Sequence, residues 1–342
     1  MPTAENAKVM YEAGQDFNDW AALTDKGDHL QFDSDVNFWS KKSGYEADVK
    51  PNGLVSGCKI TPAASGTNNL VDVAAGYAYI AGVLTAIAAD TDVEVARPAG
   101  SGDDSKTSSV TITSAGAIAV VAGADHTDLS TTRGADGGPP WIPTTSIEIG
   151  QVKYSSDTAA AVLASEISQV QNTSLEMFDY PVWDEYPMRV ENQVADYAGV
   201  TFNSALPQIH SDDAGSTTSG KKVYAKFYEP VMAELPDTEN FVPPKNSHSV
   251  SSKQVYGNRT IGASSMSIGQ GSFTVYTRDN TTDNILKLED TNLFWKYFQD
   301  RLKSPYQAGH AKLGVAYSNP AGDNVSSACT LSAERKFENI AS

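Results

Sequence analysis

Five histidines are the side chains in this sequence most suited to acid–base or metal chemistry: His29, His126, His210, His248 and His310. Two of them stand near acids. His126 lies between Asp125 and Asp128, and His210 is followed by Asp212 and Asp213. A protein metal site needs three or four converging ligands on rigid elements, and no nearby spacing supplies the others. We interpret both stretches as polar loops and expect no bound metal.

Three further motifs begin but are not completed. Residues 33–37 start like a calcium-binding loop, yet the sixth position is Phe38 and the twelfth is Gly44, so the glycine turn and the bidentate acid are missing. Residues 262–266 start like a nucleophile elbow but end on methionine. Residues 269–271 lack the third glycine of a dinucleotide loop. The sequence therefore predicts no enzymatic activity and no cofactor.

The charge balance excludes several classes of partner. The chain has 342 residues with 42 acidic and 25 basic side chains, a net charge of -17. Nucleic-acid binders gain affinity by neutralising phosphates with Lys and Arg, and polybasic anchors bind acidic membranes with the same residues. The longest apolar stretch, residues 74–89, is short and Ala/Gly-rich, so we expect no membrane span. No signal peptide is visible, and we expect synthesis in a cytoplasm.

Composition divides the chain into three parts. Residues 1–50 carry a net charge of -5, residues 51–171 carry -7 and residues 172–342 carry -5. The middle part is rich in small and β-branched residues, whereas the last part holds most of the Tyr and Phe. We predict an N-terminal arm, a β module and an assembly domain with these boundaries. Cys58 and Cys329 have no spacing that indicates a disulfide framework or a zinc site.

Alternating apolar residues predict a mainly β protein. In the middle part, short alternating runs such as Val71/Val73 and Val110/Ile112 are separated by turn residues, which is typical of a small antiparallel sandwich or barrel. In the last part, four segments rich in β-formers predict strands near 222–228, 272–277, 312–317 and 328–337. We expect a second barrel or sandwich there.

One α-helix is predicted beside this second domain. Leu293, Phe294, Tyr297, Phe298 and Leu302 recur at helical spacing. Asp290 or Thr291 is suited to cap the start of the helix, and Pro305 is suited to end it. Residues 208–221 and 235–253 are long and polar, and loops of that length are usually functional or disordered.

Several aromatic and polar residues are candidates for subunit contacts. Trp295 does not lie on the helix face that Phe294 and Phe298 share in the predicted helix. Trp295 therefore either packs the helix on a sheet or faces a neighbouring subunit. The aromatic and proline residues at 180–187 predict an extended segment that lies on a surface. The full set of interface candidates is Trp295, Tyr180, Trp183, His210, Asp212, Asp213 and Phe241.

Two parts of the chain resemble bacteriophage tail proteins. Residues 43–55, 69–83 and 147–167, with their valine-rich strands around small-residue turns, resemble a module of phage tail and baseplate proteins. Residues 172–342 resemble the tail-tube protein of a long, non-contractile tail in the order of strands, the aromatic-rich helix and the long polar loops. In that family, rings of small β domains stack into a hollow tube.

The resemblance implies a structural virion protein located in the phage tail. Its partners would be other copies of itself, the tape measure, terminator and baseplate proteins, and viral DNA that passes through without specific binding. The loops at 208–221 and 235–253 would bridge to the next ring, and the middle module would decorate the exterior. Two alternatives remain open: a baseplate or tail-fibre protein whose module binds the host surface, and a tail-borne hydrolase.

Overall fold

The computed structural model describes most of the chain. The described residues are 6–36, 38–100, 102–169, 176–177, 183–186, 198–206, 208–211, 218–257, 259–277, 284–318 and 324–340. Within them the fold consists of β-strands, with two short 3₁₀ turns (Ala164–Glu166 and Leu286–Leu288) and no α-helix. The prediction of a mainly β protein built from antiparallel sheets is therefore confirmed.

The strands of the described residues are, in chain order, β1 (Lys8–Ala22), β2 (Thr24–Asp25), β3 (Gln31–Asp33), β4 (Asp48–Pro51), β5 (Gly53–Gly57), β6 (Ile60–Pro62), β7 (Leu70–Val73), β8 (Gly76–Ile80), β9 (Val83–Ile87), β10 (Asp90–Glu94), β11 (Lys106–Ile112), β12 (Ile118–Val121), β13 (Ile142–Pro143), β14 (Ile147–Tyr154), β15 (Ile167–Gln169), β16 (Trp183–Tyr186), β17 (Gly199–Phe202), β18 (His210–Ser211), β19 (Thr218–Ser219), β20 (Val223–Glu234), β21 (Thr238–Val242), β22 (Asn246–Val255), β23 (Arg259–Ile268), β24 (Gly271–Tyr276), β25 (Asn292–Phe298), β26 (Tyr306–Ser318), β27 (Ser326–Ser332) and β28 (Glu338–Ile340).

A nine-stranded antiparallel sheet forms the largest unit. Its strand order is β21-β24-β27-β26-β25-β1-β20-β4, and β28 pairs with β26 outside this path. The N-terminal strand β1 lies inside the sheet, between β25 and β20. Leu293, Trp295, Leu313 and Leu331 are fully buried on one face, in the same core as Phe273. The N-terminal residues 8–22 thus complete a sheet made mainly of C-terminal strands.

The middle of the chain has a core of its own. Three small antiparallel sheets, β5-β8-β9, β10-β7-β6 and β12-β11-β14-β15, enclose one cluster of buried residues that includes Ile60, Val71, Val110, Ile147 and Tyr154. The alternating pairs in the sequence produce this core, because every second side chain of a strand points to the same face.

The described residues also form two smaller sheets, of four and three strands. One has the order β16-β17-β3-β2, and its Phe32 and Phe202 meet edge to face with ring centroids 5.6 Å apart. In the other, β13 of the middle segment pairs in parallel with β18, which then pairs with β19. This sheet therefore joins the middle segment to the C-terminal half of the chain.

The helix predicted for residues 293–302 is wrong. Residues 293–298 belong to β25, a strand with one neighbour on each side, and Leu302 lies in the turn that follows. Leu293 and Trp295 point into the main core, whereas Phe294 points to the opposite face and packs beside Phe38 with ring centroids 4.5 Å apart. A strand that is buried on both faces has apolar residues at nearly every position. In β25 the spacing of the aromatic residues also matches the spacing of residues along one face of a helix.

The long loop predicted for residues 235–253 is also wrong. It contains β21, which is an edge strand of the nine-stranded sheet, and most of β22. The polarity that suggested a loop reflects β22, whose side chains are exposed to solvent on both faces. For the loop predicted at 208–221, the structure describes the short strands β18 and β19, and residues 212–217 lie outside the described part.

Candidate assembly surfaces

Strands β22 and β23 form a long hairpin that belongs to no larger sheet within the described residues. Ten residue pairs are in register, from Asn246 opposite Ile268 to Val255 opposite Arg259. Nearly every side chain along both strands is exposed. A single two-stranded hairpin is marginally stable at best in water, because it has no buried face. The hairpin therefore lacks the packing that stabilises the other strands.

The two faces of the hairpin differ in chemistry. Near the base, one face carries serines that meet across the strands, with Oγ atoms 2.8 Å apart for Ser247 and Ser267 and 2.6 Å apart for Ser249 and Ser265. Near the tip, the same face carries two cross-strand pairs that combine an apolar and a basic residue, Lys253 with Ile261 and Val255 with Arg259. The opposite face exposes Val250 and Met266, and the tip exposes Tyr256.

The hairpin is basic in an acidic protein. Residues 245–268 contain Lys245, Lys253 and Arg259 and no Asp or Glu. This segment therefore carries +3 of the net -17, which leaves -20 on the rest of the chain. Opposite charges on two parts of one surface favour contacts between copies and raise the rate at which the copies meet.

A second surface is rich in aromatic residues. On the outward face of β1, β20 and β4, the rings of Phe17, Tyr45 and Tyr228 contact one another with centroid separations of 4.8–6.4 Å. The Lys226 ammonium lies over Phe17 and Trp20, at 5.3 and 5.9 Å from the ring centroids. We call these five residues, together with Tyr77, Tyr79 and Leu84 of the next sheet, the aromatic face.

Two contacts join the parts of the aromatic face. The Lys50 ammonium of β4 lies 5.8 Å from the ring centroid of Tyr79 in β8. The Trp20 indole packs against Gly82 in the turn between β8 and β9, so closely that a Cβ on Gly82 would lie 2.3 Å from the ring. The aromatic face thus runs from the nine-stranded sheet onto the middle segment, where Tyr77 and Leu84 are exposed.

A buried polar cluster fastens the middle segment to the C-terminal half of the chain. His210 Nε2 lies 2.9 Å from the Ser146 carbonyl oxygen and 3.4 Å from Glu176 Oε2. The Glu176 amide donates to the Glu148 carbonyl. The Glu148 carboxylate accepts from Ser109 and pairs with Arg133 at 2.6 Å. Glu148, Glu176 and His210 are fully buried, so these contacts hold the two parts together in a water-free setting.

Burial and charge shift the pKa values in this cluster in physically clear directions. Burial opposes ionisation of Glu148 and raises its pKa, although Arg133 acts against this shift. Burial also opposes the charged form of His210, but the attraction of Glu176 and the carbonyl of Ser146 outweigh it, even with Lys221 nearby. The pKa of His210 is therefore raised, which favours the imidazolium.

Comparison with known proteins gives no relative. No family model, curated protein or solved structure matches this chain.

The residues predicted from sequence to form subunit contacts fall in different environments. Trp295 is fully buried, and its Nε1 donates to the Ala311 carbonyl at 3.2 Å, so it presents no surface to a neighbour. Phe241 stacks on Tyr297, with ring centroids 4.6 Å apart, and is half-buried. His210 lies in the buried cluster. The hydrophobic effect explains the burial of Trp295 and the partial burial of Phe241, because large aromatic side chains remove the most apolar surface from water when they are buried.

The other candidates fall mostly outside the described residues. Tyr180, Asp212 and Asp213 all lie there. Trp183 begins β16 and stands opposite Phe202 in register. Of the candidates that the structure describes, Trp295 and His210 are buried and form no shared surface with Phe241. The hairpin and the aromatic face were missed as surfaces, although the acid-free stretch 245–268 is a signal that a local charge count detects.

Neither metal binding nor a helical membrane span is indicated by the described residues. Within the described ranges, no three His, Cys, Asp or Glu side chains group in a way that could hold a metal ion. In that same part of the chain, no helix has the length and apolar character to cross a bilayer. His310 is buried beside Phe294, and burial lowers its pKa to about 3, so it is a neutral core residue.

Proposed function

We propose that this chain is a structural virion protein that assembles into stacked rings and forms the tail tube of a long-tailed bacteriophage. Such a tube is a conduit for genome ejection and performs no chemistry. The observation that carries the proposal is the β22–β23 hairpin, which extends ten residue pairs with no sheet or core among the described residues to cover it.

The hairpin needs a partner for physical reasons. It exposes Val250, Tyr256, Ile261 and Met266, and the exposed fraction of Val250 is 78%. Val250 and Met266 lie on one face of the hairpin and Ile261 lies on the other, and grouped exposed apolar residues are typical of protein–protein contact sites. A projecting element that docks on a different surface of an identical copy makes a heterologous contact, and such contacts repeat into rings or filaments. This is the geometry that a stacked tube requires.

Sheet edges offer a second mode of contact. The short strand β21 is an edge of the nine-stranded sheet and has β24 as its only ladder partner within the described residues. An edge strand presents free backbone groups that can pair with another chain. We propose that copies within one ring extend the sheet at β21, while the hairpin, which starts four residues later, reaches the next ring.

The charge distribution supports the same function. The hairpin carries +3 and the remainder carries -20, so hairpin-to-body contact is attractive whereas body-to-body contact is repulsive. An acidic body also repels the phosphates of passing DNA, because its acidic side chains outnumber its Lys and Arg. Both properties suit a protein that stacks in one orientation and lets a genome slide past.

The test is the assembly state of purified protein with and without the hairpin. Mass photometry and negative-stain electron microscopy should show rings or filaments for the intact chain. Replacing residues 246–268 by two glycines should give folded monomers, because the Gly269 amide already donates to the Lys245 carbonyl at 2.9 Å. Leu302→Ala, on an exposed turn elsewhere, is the matched control. Only monomers of the intact chain under every condition would overturn the proposal.

A further inference from the structure

We infer that the acceptor for the hairpin is the aromatic face of a second copy of this chain. The inference rests on the proposed function and deepens it, since it names the surface on which each copy would dock. Within one chain, both the hairpin tip and the aromatic face are exposed, so the contact joins different copies.

The apolar residues of the two surfaces complement each other. Nine of the sixteen exposed large hydrophobic residues in the described part of the chain lie in the hairpin or in the region around the aromatic face: Val250, Tyr256, Ile261 and Met266 in the first, and Phe17, Val55, Tyr77, Val83 and Leu84 in the second. Docking through the hairpin face that carries Ile261 removes Ile261, Tyr256 and the exposed residues of the aromatic face from water together. Val250 and Met266 lie on the opposite face of the hairpin. Aromatic residues of this kind are frequent anchors of protein interfaces.

The charges of the two surfaces are also complementary. On the aromatic face, Asp19 pairs with Lys226 at 3.1 Å and Asp48 pairs with Lys50 at 2.5 Å. In each pair the acid stands further into solvent than its base, with exposed fractions of 63% against 33% and 43% against 15%. The outermost charges of this surface are therefore negative, whereas those of the hairpin tip, Lys253 and Arg259, are positive.

The shapes of the two surfaces permit a close approach. The aromatic face is the outward side of the β1-β20-β4 end of the nine-stranded sheet and of the small sheet β5-β8-β9, which Lys50 and Trp20 connect. The hairpin face that carries Lys253 and Ile261 continues toward its base in serines and Ala263, whose small side chains leave a flat ribbon. Two such faces can stack as sheets do, about 10 Å apart. We place the tip residue Tyr256 beside Leu84, with Lys253 and Arg259 toward Asp19 and Asp48.

Site-specific cross-linking between two variants tests this placement. Tyr256→Cys protein and Leu84→Cys protein are mixed, allowed to assemble and treated with a short bismaleimide. The native thiols of Cys58 and Cys329 are buried, with pKa values raised to about 11 and about 12, so they do not compete. Leu302→Cys replaces Leu84→Cys in the control. The adjacent Arg301 amide donates to the Asn6 carbonyl, which precedes β1, whereas the aromatic face begins at Phe17.

The expected result is a cross-linked heterodimer at least tenfold more abundant with Leu84→Cys than with Leu302→Cys, in samples that form rings or filaments. Equal or lower yield with Leu84→Cys in such assembled samples overturns the docking surface and leaves the tube function standing. Monomers alone by microscopy, with the unsubstituted protein also monomeric, overturn the proposed function and the docking surface together.

Discussion

His210 and Glu176 form a fully buried pair, with Nε2 and Oε2 3.4 Å apart. The pair lies where the middle segment meets the C-terminal half of the chain, since the same His210 nitrogen contacts the Ser146 carbonyl. Removing one member of a buried ion pair leaves an uncompensated charge and typically costs about 3–5 kcal/mol. One ionisable imidazole therefore contributes to the attachment of the middle segment, beside the pairing of β13 with β18.

Stability should depend on pH through His210. Its folded-state pKa is raised, so the stabilisation it contributes is fully present below the unfolded value of about 6.5 and is lost as pH rises through the folded value. His210→Gln keeps an N–H donor but no charge. The difference in urea midpoint between the wild type and this variant should be large at about pH 6 and smaller at about pH 9.

A second variant separates this effect from simple packing. Glu176→Gln removes the carboxylate that holds the proton on His210, so the wild-type advantage over this variant should also shrink as pH rises. A gap between wild type and His210→Gln that stays constant across this pH range would contradict the ionised pair.

Trp295→Ala should destabilise the protein through its core. Trp295 is fully buried against Phe273 and Tyr11, with ring centroids 5.4 and 6.2 Å away, and such truncations typically cost about 3–5 kcal/mol. Urea denaturation of Trp295→Ala should show this loss, whereas Leu302→Ala, with an exposed side chain, should change stability by less than about 0.5 kcal/mol. Unchanged stability of Trp295→Ala would place the indole outside the core.

The strand at Trp295 shows how far sequence reasoning could go. Half-buried strands such as β20 alternate visibly, with Val223, Ala225 and Phe227 inward, and their positions could be predicted. β25 is covered on both faces, so apolar and polar residues do not alternate along it, and its apolar residues have the spacing expected of a helix. The pairing of β1 with β20 and β25 joins residues more than 200 positions apart, which local patterns do not encode.

The assembly surfaces were predictable only in part. The acid-free stretch at residues 245–268 is visible in the sequence, but its exposure on both faces follows from tertiary structure. The aromatic face combines Phe17, Tyr45 and Tyr228 from three separate segments, so no spacing reveals it.

Gly82→Ala should cost more stability than an otherwise similar glycine substitution. Gly82 has a φ of +80°, and a Cβ there would meet the Trp20 indole. Gly66 has a φ of +65°, and no described atom lies within 4 Å of the position that a Cβ would take. Gly66→Ala therefore carries only the backbone penalty of about 1–2 kcal/mol. Chemical denaturation should show a larger loss for Gly82→Ala, and equal losses would contradict the tight Trp20 contact.

The two cysteines should be unreactive in the folded protein. Burial raises the pKa of Cys58 to about 11 and that of Cys329 to about 12, and the thiolate is the reactive form. Titration with a chromogenic disulfide reagent near neutral pH should detect almost no thiol in the native protein and two per chain in denaturant. Rapid labelling of the native protein would show that these sites open easily.

Assembly should weaken as salt rises. The attraction between the +3 hairpin and the acidic remainder acts between exposed charges, and the screening length falls from about 30 Å at 0.01 M salt to about 3 Å at 1 M. Light scattering should give a critical concentration that increases with salt. The double variant Lys253→Gln/Arg259→Gln should raise the critical concentration at low salt and should make the critical concentration depend less on salt. Lys303→Gln, an exposed lysine in a turn outside the hairpin, is the control and should behave as wild type. A critical concentration that falls with added salt would indicate that apolar contact, rather than charge, drives the association.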